Sequence, residues 1–181
     1  MAIEEVERRL KRDNKILFAR DSPSLASLVA ILETMDKKAV VLWALDQATA
    51  VVMELDGKYP EIGLFVESLN LANLWFQGQV KMAPVKNAIL QLHKIAGEFE
   101  KDGSTRADGL KIRALAHGLA TIHSKKHAIG LPMYYLSALV CRDKDNYQVL
   151  VTDMIKQYRA ALEYYDSHLS ECNVHWAKFM Q

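Results

Sequence analysis

Apolar residues recur along this chain with helical spacing, and no stretch alternates with period two over a strand length. Such a chain can bury its apolar surface only by packing helix against helix. The pattern is cleanest from Asn146 to Leu169, where Tyr147, Leu150, Val151, Met154, Tyr158, Leu162 and Tyr165 share one side. Ile3 to Phe18 carries Ile3, Val6, Leu10 and Leu17 on a stripe, and Pro23 to Met35 carries Leu25, Leu28, Val29 and Leu32. Lys37 to Leu55 is apolar on nearly every face, which marks it as the central, most buried helix. Further helices are expected over Glu61 to Phe76 and from Pro84 through Phe99. Ser104 or Thr105 is placed to cap a histidine-bearing helix, which should break between Ser124 and Pro132, since a proline inside a helix loses a hydrogen bond and clashes with the preceding turn. The expectation is one all-α domain over residues 1–181, built from six to eight helices.

Charge narrows the function classes. Lys and Arg number 23 against 22 Asp and Glu, so no global field draws the chain to nucleic acid or to an acidic membrane surface. Met1 to Arg12 is charged and helical in pattern and carries no apolar signal core. The longest apolar run, Ala39 to Met53, contains Asp46 and is too short to span a bilayer. Cys141 and Cys172 form neither a disulfide framework nor a CxxC pair, which reads as cytosolic thiols. A cytoplasmic protein is the expectation.

Polar residues set into apolar helices mark the candidate site. His117, His123 and His127 lie within eleven positions of one another, and imidazole is both the side chain that titrates nearest neutral pH and the commonest metal ligand. On an unbroken helix His123 and His127 would sit one turn apart on a common face. Asp46 lies among Leu42, Trp43 and Leu45, where an unpaired carboxylate would be costly, so it should bond one of His93, His117, His123 or His127. Two readings follow. These five residues form a hydrogen-bonded polar seam that fixes helix register, or His117, His123, His127 and Asp46 hold a metal ion. Ser124 stands where a metalloprotease helix needs Glu after its first His, and no Glu-x-x-His pair occurs. No P-loop, dinucleotide glycine pattern or serine-nucleophile elbow is present, and no cofactor is expected.

Four segments carry a family likeness. They are Leu42-Trp43-Ala44-Leu45-Asp46 with Lys58-Tyr59-Pro60, Leu74-Trp75-Phe76-Gln77-Gly78, Leu92-His93, and Ala116-His117-Gly118-Leu119-Ala120-Thr121-Ile122-His123 followed by His127-Ala128-Ile129-Gly130. In this order the chain resembles a family of small bacterial helical immunity proteins, the Imm-five-like domain, over residues 36–140, with little contribution from the N-terminal helices or the last helix. Gln47-Ala48-Thr49-Ala50 and Glu61-Ile62-Gly63-Leu64 depart from the charged runs usual there. The resemblance implies a non-catalytic antidote that binds a cognate protein toxin through its surface. A metal-binding helical bundle or metal-dependent enzyme stays open beside it, as does a helical oligomer with no ligand.

Overall fold

The computed structural model describes residues 3–181; Met1 and Ala2 lie outside the described residues. Among the described residues eight α-helices follow one another: α1 Glu4–Lys11, α2 Ala26–Thr34, α3 Lys37–Lys58, α4 Leu64–Phe76, α5 Met82–Phe99, α6 Arg106–Ala120, α7 Gly130–Arg142 and α8 Tyr147–Ser167. No strand occurs among the described residues, and none of their helices is long and apolar enough to cross a membrane. The all-α expectation holds.

Helix α6 is the hub, packed most extensively against α7, α5 and α3. Ten of its 15 residues are buried, against ten of 22 in α3. Lys37 to Leu55 is therefore not the most buried helix, contrary to expectation. Asp46, Thr49, Ala50 and Met53 recur at i, i+3, i+4 and i+7 and turn one stripe of α3 to solvent, with Met53 72% exposed. The opposite face is fully buried at Val40, Trp43, Ala44 and Ala48, and the Trp43 ring meets Tyr158 of α8 edge-on at 5.7 Å. Burying a side chain the size of Val40 stabilises by roughly 1.5–3 kcal/mol, before conformational entropy is counted against it.

Local chemistry explains where the helices stop. Helix α1 ends at Lys11, not Phe18. Asp13 takes a left-handed φ of 51°, Asn14 N–H donates to the Arg9 carbonyl and Asp13 N–H to that of Leu10, which closes the helix in a Schellman motif. Beyond it Leu17 and Phe18 still enter the core, because Leu17 N–H donates at 2.9 Å to Ser137 Oγ on α7. Pro84 and Pro132 both occupy the third position of their helices, α5 and α7, where a missing N–H costs nothing. Thr105 precedes α6 but does not cap it; its Oγ1 donates to the Phe99 carbonyl at 2.7 Å and ties the α5–α6 connection. The C-terminal segment straps the end of α4: Ala177 N–H donates to the Phe76 carbonyl, Phe179 stacks on Trp75, and Trp176 lies on Phe76.

Candidate functional site

Helix α6 ends at Ala120, earlier than the predicted break. The N–H groups of Thr121, Ile122 and His123 bond three residues back, and Thr121 Oγ1 donates to the His117 carbonyl at 3.0 Å. The chain then crosses in a 3-10 turn, Lys125–His127, before α7 begins. Lys125 anchors this turn: its ammonium donates to the carbonyls of Glu33 at 2.9 Å and Met35 at 2.8 Å at the end of α2. Those C-terminal carbonyls have no helical partners, so a cation is well placed there. His123 and His127 are consequently not on one helical face. His123 is exposed on the turn, whereas His127 folds back toward α6.

Three of the five expected residues meet. The His117 ring lies 5.7 Å from that of His93 on α5 and 5.8 Å from that of His127, and it stacks on Tyr134 of α7 at 5.0 Å. Gly130 makes room for it. A Cβ at that position would stand 2.3 Å from His117 Nδ1 and 2.5 Å from its Cγ. Gly118, one residue on, lets α6 approach α3 and α7, since a Cβ there would stand 2.9 Å from Leu131 Cδ1 and 3.3 Å from the Ala44 carbonyl oxygen. The glycines of the His117-Gly118 and Ile129-Gly130 segments thus serve close packing.

Periodicity did not reveal the cluster's ionic neighbour. Arg113, one turn before His117 on α6, forks onto Glu100: Nε pairs with Oε1, and Nη2 donates to Oε2 at 3.1 Å. Its Nη1 approaches His93 Nδ1 at 3.4 Å. Burial, with Arg113 second, lowers the His93 pKa. His127 is lowered by burial and by His123. His117 is lowered furthest, to about 4, by burial first and then by His93, His127 and Arg113. At neutral pH the imidazoles are uncharged, and His117 Nδ1 is buried without a hydrogen-bond partner. The nearby carboxylate, Glu100, is already engaged by Arg113, which leaves none to orient an imidazole as a general base. Among the described residues no group of three or more His, Cys, Asp or Glu side chains is arranged to hold a metal ion.

Asp46 does not join the cluster. It lies on the solvent stripe of α3, where Gln47 Nε2 donates to its Oδ2 at 2.9 Å. It also faces Tyr165 of α8, whose phenol is pushed up to about 12 by burial and by this carboxylate. One helical register step separates it from the buried Trp43 face, which explains why an apolar sequence context misplaced it. Asp46→Ala should therefore shift stability by no more than about 0.5 kcal/mol, the usual range for an exposed site. Chemical denaturation showing a loss above about 2 kcal/mol would restore the buried-partner reading.

Two further charged clusters hold the bundle. Asp108, buried at the start of α6, accepts from Lys58 Nζ at 2.6 Å and from Tyr59 Oη at 2.8 Å, giving the Lys58-Tyr59-Pro60 segment a structural task. Glu54 on α3 accepts from Lys111 Nζ of α6 at 2.5 Å and from Tyr135 Oη of α7 at 2.6 Å. An intrusive Lys between Leu110 and Ile112 was the visible signal for the second.

Lys58, Tyr59, His93, Gly118 and Gly130 thus pack about α6, and all of the motif segments lie within one matched span. The profile for Imm-5 like putative immunity proteins matches residues 30–163, wider at both ends than 36–140 and including most of α8. No curated protein and no solved structure matches the chain. With well over half of its length matched, the chain belongs to the family of Imm-5 like putative immunity proteins.

Proposed function

We propose that this protein neutralises a cognate bacterial toxin by binding it in the cytoplasm of the producing cell, without covalent chemistry. The family match over residues 30–163 carries this reading. The use of the polar residues supports it. Arg113, Lys111 and Lys58 each pair with a carboxylate of a neighbouring segment of the bundle, so they brace the scaffold. A rigid scaffold lowers the ordering cost of association, which is what a tight inhibitor of another protein needs. The histidine cluster contributes to that rigidity as packed, neutral rings.

The test is growth rescue with the gene product encoded directly beside this chain. Expressed alone in a bacterial host, the neighbour should arrest growth; co-expression of this chain should restore it, and the two should co-purify as a complex. A harmless neighbour, or an arrest that this chain does not relieve, overturns the proposal.

A further inference from the structure

We propose that the solvent side of the α4–α5 hairpin is the toxin-docking surface, and that it receives a protein face bearing carboxylates around an apolar patch. The inference rests on the neutralisation reading above and names the surface that performs it. Of the chain's 22 Asp and Glu residues, none falls between residues 68 and 97, the stretch that forms most of this hairpin. The same stretch carries Lys81, Lys86 and Lys94, all exposed. No ion pair among the described residues engages any of the three. Their charge is uncommitted, whereas Lys58, Lys111 and Arg113 are each paired with a carboxylate of a neighbouring segment.

Apolar exposure is concentrated on the same element. Four of the eight large apolar side chains exposed among the described residues belong to the hairpin; Leu74, Met82 and Leu90, the last 56% exposed, lie within the acid-free stretch, and Val66 lies just outside it beside Glu67. The hairpin supplies only about a fifth of the chain, so this is enrichment. On α5 the two properties interleave. Met82, Lys86, Leu90 and Lys94 follow at i, i+4, i+8 and i+12, which places Leu90 between two ammonium groups on one side of the helix, roughly 12 Å apart along its axis. Of the exposed apolar groups elsewhere, Met53 adjoins Glu54, and Val149 lines a groove of about 840 Å³ with Glu4, Glu5 and Asp153 as well as Arg8 and Lys156.

Apolar anchors framed by charge of a single sign give a docking surface both its affinity and its partner choice. Complementarity then dictates an acidic partner face. Three lysines are too few to neutralise a useful run of phosphates, which favours a protein over nucleic acid.

The protein encoded by the adjacent gene is the probe, with binding measured calorimetrically. Lys86→Glu combined with Lys94→Glu should weaken the complex by about 100-fold or more, and Leu90→Asp should do likewise. Because these side chains are exposed, each variant should melt like the wild type. Arg8→Glu with Lys156→Glu, on the α1–α8 groove, should bind unchanged. Wild-type affinity should fall as salt rises. If the wild type binds and the Lys86/Lys94 variant binds equally well, this inference fails while neutralisation stands. If the wild type does not bind, both fall. A 20-base-pair DNA duplex serves as the second probe; binding abolished by the same two charge reversals would overturn the assignment of a protein partner.

Discussion

Glu54→Ala should lower the unfolding free energy by about 3–5 kcal/mol, the cost of leaving a buried ion without its partner. The Lys111 side chain is only 8% exposed, so its ammonium has little water to turn to, whereas the Glu54 side chain is 39% exposed. Glu54 satisfies two groups at once, the Lys111 ammonium and the Tyr135 hydroxyl. Burial, and next this hydrogen bond, raises the Tyr135 phenol pKa, so the hydroxyl stays protonated and needs an acceptor. Deleting the carboxylate orphans both donors across three helices. The reverse deletion is gentler. Lys111→Met keeps the stem's volume and leaves a carboxylate that can reach water and still accepts from Tyr135, so it should cost about 1–2 kcal/mol. The double variant should be more stable than Glu54→Ala alone, because the orphaned ion is gone. Urea denaturation of the four proteins decides it. Equal costs for the two single variants, or a Glu54→Ala cost below about 1 kcal/mol, would show that Lys111 is solvated without its partner.

The contrast between the Glu54–Lys111–Tyr135 cluster and the expected Asp46 partnership shows what an amino-acid sequence makes legible. Helix content was legible because a 3.6-residue period is imposed by the backbone and repeats in every segment from Val6 to Leu169. Ends were less so. Leu17 stays in phase with Val6 and Leu10, yet Asp13 turns the chain between them, and the pattern cannot distinguish a continued helix from a turn that returns an apolar residue to the core. The spacing of His123 and His127 misled for a tertiary reason: Lys125, held by carbonyls of α2 some ninety positions earlier, sets where α6 must stop. His93, His117 and His127 were singled out as residues, but Arg113, Glu100 and Tyr134 were not. Their contacts join positions on different helices, and no local spacing encodes which helices will be neighbours. Gly118 and Gly130 had a signal in the motif, and only the structure supplied its cause.

Acid should destabilise the protein through the histidine cluster, and most of the effect should trace to His117. Its pKa in the fold is lowered to about 4 from an ordinary 6.5, so between those values the unfolded chain binds more protons than the native one. Stability therefore rises with pH across this window: the contribution is complete above about pH 6.5 and is lost as pH falls toward 4. A shift of that size corresponds to a loss of up to about 3 kcal/mol at the acid end. His93 and His127 are shifted the same way, each by burial first, and add to the slope. The geometry explains the sign. A proton on His117 would place charge in a buried site beside Arg113 and two other imidazoles, with Glu100 already committed to Arg113. Nδ1 is buried beside the Gly130 backbone without a hydrogen-bond partner. His117→Phe removes the titrating group, keeps a ring against Tyr134, and relieves the unpartnered nitrogen. Its stability should match or exceed that of the wild type at pH 5, and the difference between the two should widen as pH falls from 6.5 to 4. Carboxylate titration affects both proteins alike, so the difference isolates the imidazole. Guanidinium denaturation at half-unit pH steps measures it, and parallel curves for the two proteins would show that the His117 ring is solvated well enough to take a proton at no cost.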